Sequence, residues 1–287
     1  MPRILWLALL VISSVSAAPV LHSFQEPESR PAAVAPASKP TTTKVWIGRN
    51  AEYEEFLRTA DIEKTETMTV GVLGIKRAYF KPGGLARRGA LRNIRPGKYD
   101  GYFESYRSEI AAYKLDRLLE LDMVPPTVER RYNGETVSVQ LWGEDLKMLK
   151  EVQEKNLRPT APVEVGAYTF QLRRQKLFHN LTGNLDPNQG NIMFDPVWNV
   201  VLADFSRAFT NTRKLVFEIG KPNGATTIDR PFLDRLKGLD RETLRRELGD
   251  FVEGGGAIDA ILLRRDDIVK GFERLAKEKG EAQVFTP

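Results

Sequence analysis

The stretch Ile192 to Ala203, IMFDPVWNVVLA, constrains the fold more than any other part of the chain. Two short apolar runs flank Asp195-Pro196, a turn signature, and the whole reads as a β-hairpin. Its two ends then lie side by side. That arrangement sets Asn191 at one end beside Asp204 at the other, with Asp186 just upstream in a loop. A carboxylate with an amide oxygen suits a hard cation such as Mg²⁺ or Mn²⁺, which also takes phosphate oxygens. A further carboxylate kept off the metal can orient a hydroxyl nucleophile. Asp195 is assigned to the turn and left out of the site.

The elements around the hairpin predict an α+β fold. AEYEEFLR (Ala51 to Arg58) reads as a short helix, and IEKTETMTV alternates as a strand does. GVLG (Gly71 to Gly74) reads as a turn, IKRAYFK (Ile75 to Lys81) as a second strand, and PGGLARRGALRNIRPGKYDG as a Gly-rich basic loop. ESYRSEIAAYKLDRLLELD is the clearest helix, with Ile110, Ala112, Tyr113, Leu115, Leu118 and Leu119 on one broad apolar face. Two strands joined by Asn133-Gly134 follow, a hairpin signal. After Trp142 the patterns turn helical: GEDLKMLKEVQ, then VEVGAYTFQLRRQKLFHNLTG, then most of the tail from Pro231, where Asp240 is placed to cap RETLRREL. The expected order is a β-rich lobe with one long helix over residues 45–141 and a mostly helical lobe with a small hairpin over residues 142–287.

The start of the chain has another character. MPRILWLALLVISSVSAAPV has a positive end, an apolar core and then small residues, the order of a secretory signal peptide over residues 1–17, cut after Ala17. The apolar core is shorter than the roughly 20 residues a bilayer needs, so no transmembrane span is expected in the mature chain. Residues 18–44 are rich in Pro, Ala, Ser and Thr and read as a disordered linker. The expected location is outside the cytoplasm: periplasm, medium or secretory lumen. The chain has no cysteine, which excludes thiol chemistry and thiolate metal sites. Its net charge of +5 is spread along the chain and forms no nucleic-acid-binding arm, so no nucleic-acid partner is expected.

The pattern DPNQGNIM followed by an apolar strand and ADF resembles the catalytic and metal-binding segment of the protein-kinase-like superfamily. It is especially similar to that of the phosphatidylinositol 3-/4-kinases. AYFKP resembles their Lys-bearing strand, and SEIAAYKLDRLLELDMVPPT the Glu-bearing helix, here closest to the secretory-pathway kinases that include the Golgi casein kinase and the xylose kinase. Asp204, Arg207 and Phe209 fit that family as well. The motifs run from about Ile62 to Phe209. The resemblance implies a two-lobed kinase-like fold and an ATP-dependent phosphotransferase that uses Mg²⁺ or Mn²⁺. By that resemblance Lys81 binds the nucleotide phosphates, and Glu109 pairs with Lys81 or shares a metal. Gly71 and Gly74 shape the loop over the phosphates, Asn191 and Asp204 hold the cation, and Asp186 accepts the acceptor's proton. The chain departs from the common pattern in having NLD without His-Arg before the proposed base, and DFS in place of Asp-Phe-Gly.

The residues leave alternatives open. Lys76 competes with Lys81 but faces the other side of its strand. Arg87, Arg88, Arg92, Arg95 and Lys98 either grip an anion or are simply solvated. His179 has no second histidine beside it and reads as structural. The acceptor is a hydroxyl of a protein or glycan before a lipid headgroup. The competing functions are a catalytically inactive pseudokinase and an exported binding module.

Overall fold

A computed structural model describes residues 42–68 and 75–287. The signal segment, all but the last residues of the linker, and Gly71 and Gly74 lie outside the described residues. The fold is α+β, with an antiparallel sheet and one long helix in the first half and a helical second half.

Helix α1 (Asn50–Thr59) precedes strands β1 (Ile62–Thr67), β2 (Ile75–Phe80) and β3 (Arg88–Arg92). A small hairpin follows, β4 (Gly97–Tyr99) with β5 (Tyr102–Glu104), then helix α2 (Tyr106–Leu118) and strands β6 (Thr127–Tyr132) and β7 (Glu135–Leu141). Five of these strands form one sheet in the order β1-β2-β3-β7-β6, antiparallel throughout. The turn between β6 and β7 is the expected one: Asn133 and Gly134 both take positive φ, 49° and 80°, as a two-residue hairpin of this hand demands.

Strand β3 corrects the expectation of a Gly-rich loop after Lys81. RGALR shows no alternation because four of its five residues are buried, covered on both faces. Gly89 is required there: a Cβ would meet the Phe80 ring at 3.1 Å and the Gln140 carbonyl oxygen at 3.2 Å. The basic run is therefore a central strand followed by a hairpin, and it stands between β2 and β7.

Helix α2 starts where Ser105 accepts a hydrogen bond from the Arg107 backbone N–H, which satisfies one of the free donors of the first turn. Its apolar residues Ala111, Ala112 and Leu115, and Leu119 just past its end, join the core of the helical half, with Phe178, Phe205, Phe232 and Phe272. A second core lies between the sheet and α1, around Leu57, Phe80, Leu91, Val137 and Val139.

In the second half, β8 (Lys147–Met148) interrupts the single helix expected from GEDLKMLKEVQ, leaving α3 (Leu149–Glu154). Helix α4 (Pro162–Thr182) ends at Gly183 in the left-handed conformation, φ 59°. The hairpin of β9 (Ile192–Phe194) and β10 (Val200–Leu202) forms as the sequence predicts, with Ile192 opposite Leu202 and Phe194 opposite Val200. Its alternating sides serve both cores, since Val201 packs with the sheet and Val200 and Leu202 with the helices. Helices α5 (Arg230–Gly238), α6 (Arg241–Leu248) and α7 (Ala257–Lys279) complete the bulk of the helical half, and Asp240 caps α6 as expected. No described helix is long and apolar enough to cross a membrane.

Asp195 does more than turn the chain. It is fully buried and accepts from the Val197 and Asn199 backbone N–H groups on Oδ1. Its other oxygen, Oδ2, accepts from Thr42 Oγ1, Thr43 N and Asn199 Nδ2. Thr42 and Thr43 are thus tied to the hairpin tip.

Candidate functional site

The hairpin closes through a 3.0 Å bond from Ala203 N to the Asn191 carbonyl, so Asn191 and Asp204 do emerge together. The Asn191 amide nitrogen donates to the Asp186 carbonyl at 3.3 Å. That bond fixes the amide plane and leaves Oδ1 as an open acceptor. Asp204 has φ 60°, a left-handed conformation that few non-glycine residues adopt. Backbone held in a sparsely populated region points to function when the surroundings impose it. Here they do: Ser206 Oγ donates to Asp204 Oδ1 at 2.9 Å, and Asn184 Nδ2 reaches the Asp204 carbonyl at 3.5 Å.

Asn184 joins the parts. Fully buried, it accepts from Asp186 N at 3.0 Å while its amide nitrogen faces Asp204 and His179 Nδ1. Sequence reasoning missed it, because its value lies in contacts on both sides of the hairpin. His179 is structural as read. Burial lowers its pKa to about 3, so it is neutral, and its ring stacks on Phe205 at 5.5 Å.

Glu109 lies inside the molecule, with no exposed surface. Its Oε1 accepts from Phe205 N at 3.1 Å, which anchors α2 to the residue after Asp204. The cation facing it is Arg92 from β3, with Nε 3.2 Å from Oε1. The two are close in charge but not aligned for a hydrogen bond. Arg92 Nε and Nη1 and Glu109 Oε2 are all buried without a hydrogen-bond partner. Burial pushes the Glu109 carboxyl up to about 7, Arg92 opposes that, and the Asp204 charge adds to it.

Lys81 is elsewhere. It sits beyond the end of β2 and pairs with Asp61 at 2.8 Å, both side chains about two-thirds exposed. The expected pairing of Lys81 with Glu109 is not formed, because β3 stands next in the sheet and supplies Arg92 from a buried position. Lys76 on β2 is in no ion pair among the described residues. The other cations of the basic run are surface groups: Arg88 pairs with Glu144, and Arg95 reaches Glu135 at 3.6 Å.

Asp186 is about one-third exposed, and its two oxygens are engaged differently. Oδ1 accepts from Asn188 Nδ2 at 3.0 Å. Oδ2 lies 3.4 Å from Arg207 Nη1. Arg207 is itself held by Glu104, which is buried, at 2.9 Å from Nε and 2.8 Å from Nη2. Its guanidinium lies over the Tyr102 ring at 4.5 Å. Glu104 and Tyr102 belong to the β4–β5 hairpin, so that hairpin is wired to the candidate base.

The donor set at the open end of the hairpin is all oxygen. Asn191 Oδ1 and the Asp204 carboxylate are oxygen donors of the kind Mg²⁺ and Mn²⁺ take. Among the described residues there is no cluster of three acidic or imidazole side chains that could hold a metal alone. A cation here would complete its shell with waters or ligand oxygens, the usual habit of Mg²⁺.

No family model matches the chain, and no curated protein matches it. Among solved structures it is similar to the Helicobacter pylori proinflammatory kinase CtkA, with 13% identity and a TM-score of 0.45, over 78% of this chain and 98% of that one.

Proposed function

We propose that the chain is an exported ATP-dependent phosphotransferase acting on a hydroxyl group through a divalent cation. The observation that carries this reading is the buried Arg92–Glu109 pair with three unpartnered polar atoms, hydrogen-bonded to the residue next to Asp204. The two charges face each other at 3.2 Å, yet buried polar atoms left without hydrogen bonds are costly and call for an explanation. In this reading Arg92 takes the phosphate-binding role that the sequence suggested for Lys81, and its planar fork suits two phosphate oxygens at once. Glu109 keeps Arg92 in place. Asn191 and Asp204 hold Mg²⁺ or Mn²⁺, which neutralises charge on the phosphates when bound. The proposal that Gly71 and Gly74 shape a loop over the phosphates rests on the sequence alone.

Asp186 orients the acceptor hydroxyl and takes its proton as the oxygen attacks the γ-phosphorus, with the bond to the ADP leaving oxygen breaking in line. Acceptors in this reading are a protein or glycan hydroxyl before a lipid headgroup. Arg207 against Asp186 favours a second reading, a nucleotide-binding pseudokinase, since one oxygen of the candidate base already faces a cation.

Incubation of the full chain with γ-labelled ATP, Mn²⁺ and a panel of protein, oligosaccharide and inositol-lipid acceptors tests the reaction. Label transfer that Asp186→Asn removes supports it. Nucleotide binding without transfer or ATP turnover, unchanged in Asp186→Asn, assigns the pseudokinase. Export predicts a mature amino terminus at Ala18, read by terminal sequencing of protein recovered outside the cytoplasm.

A further inference from the structure

We propose that a groove between the segment 213–221 and helix α7 binds a multiply phosphorylated anion. The proposal uses none of the residues assigned to the nucleotide and metal, and stands or falls apart from that reading. The groove is open to solvent, has a volume of about 730 Å³ and is lined by five cations, Arg213, Lys214, Lys221, Lys270 and Arg274, against two carboxylates. One of those carboxylates, Asp267, is already neutralised: Arg213 meets both its oxygens at 2.8 Å. Among the described residues the other four cations are in no ion pair, and all four are exposed. Lys270 and Arg274 stand one turn apart on α7, where like charges repel and lower helix stability.

The walls are fixed before any ligand arrives. Arg264, fully buried, donates to the carbonyl groups of Leu181, Thr210 and Thr212. Asn180 holds Phe217 through both its amide atoms at 2.7 Å. Gly271 lets the segment close onto the helix, since a Cβ there would meet Ile219 at 3.0 Å. A preformed groove spares a ligand the entropy of ordering it. Charge excess in so small a volume suits phosphates, which carry up to about two charges each near neutral pH. A peptide would have to bring several carboxylates into the same space. Lysine ammonium groups serve phosphate as compact point charges, and Arg274 adds a fork.

The test titrates the full chain, by calorimetry at 0.15 M salt, with inorganic tripolyphosphate and with a soluble inositol polyphosphate. Flotation with phosphatidylcholine vesicles, with and without phosphatidylinositol bisphosphate, runs alongside. Lys214→Glu/Lys270→Glu changes the groove. Lys150→Glu/Lys155→Glu makes the same charge change at two exposed lysines that do not line the groove. The expected result is binding of the free anions by wild type, weakened at least tenfold in the groove variant and less than twofold in the control. Vesicle capture that follows the same pattern adds a lipid headgroup as a source. Capture absent while the free anions bind assigns a soluble one. Equal loss in both variants, no binding of any probe, or polyglutamate binding as tightly as tripolyphosphate at equal charge overturns the proposal.

Discussion

Arg92 Nε lies 3.2 Å from Glu109 Oε1, inside the molecule, and both side chains keep polar atoms without partners. A strand and a helix thus meet through charge at the point where Asp204 emerges. The pair makes stability depend on pH in a definite direction. Glu109 titrates at about 7 in the folded chain against an ordinary 4.5. Its contribution is complete below pH 4.5 and is lost as pH rises through 7, by about 3 kcal/mol in order of magnitude. Asp116, buried and also raised to about 7, acts in the same direction. His179, lowered to about 3, acts in the opposite one and loses stability as pH falls below 6.5. The informative quantity is therefore a difference. Denaturant unfolding of wild type and Glu109→Gln from pH 4.5 to 8 is expected to show the variant gaining relative stability as pH rises. Parallel curves would remove Glu109 from the buried titration.

Arg92 and Lys81 separate cleanly. Arg92→Met is expected to weaken nucleotide binding at least tenfold and to destabilise the fold by about 1–3 kcal/mol at pH 8, where Glu109 is left charged and unpaired. Lys81→Ala is expected to change nucleotide affinity less than twofold, as befits an exposed pair with Asp61. Calorimetric titration with Mn²⁺ and a non-hydrolysable ATP analogue reads both.

This division shows what could be read from residues alone. The β9–β10 hairpin, α2 and the Asn133-Gly134 turn carry strong local signals of apolar run, periodicity and turn chemistry, and each appears in the fold. The hairpin then brings Asn191 and Asp204 together almost by arithmetic. Strand β3 was not legible, because burial on both faces erases alternation and its charged ends mimic a loop. Arg92 was visible only as one of five cations that either grip an anion or are solvated, and its burial, which sets it apart, follows from that strand. Arg207 was legible as part of the Asp204, Arg207 and Phe209 pattern, but its bond to Glu104, 103 residues away, was not, and neither Glu104 nor Asn184 carries a local signal.

Asp204 combines backbone strain with a proposed ligand. Asp204→Gly removes the carboxylate and suits φ 60° without a Cβ. Stability of the ligand-free chain is expected to stay within about 1 kcal/mol of wild type, while metal-dependent nucleotide binding is lost. Thermal unfolding with and without Mn²⁺ and nucleotide checks both halves.

Arg207 holds the β4–β5 hairpin to the site. Arg207→Ala strands the buried Glu104 carboxylate and is expected to destabilise the chain by about 2–4 kcal/mol. Arg207→Ala/Glu104→Gln removes the stranded charge and is expected to recover at least half of that loss by denaturant unfolding. A double variant no more stable than the single one would show that the pair is not what holds the hairpin.

In the proposed function Arg92, Asn191 and Asp204 together bind a metal–nucleotide complex. Thermal unfolding of the full chain with Mn²⁺ alone, ATP alone, and both measures it most directly. A ligand that binds only the folded state stabilises it by mass action, about 2.7 kcal/mol at a hundredfold excess over Kd. The expected result is a rise in Tm that needs both Mn²⁺ and ATP and disappears in Arg92→Met and Asp204→Gly. No rise with both present, or a rise that persists in those variants, would contradict it.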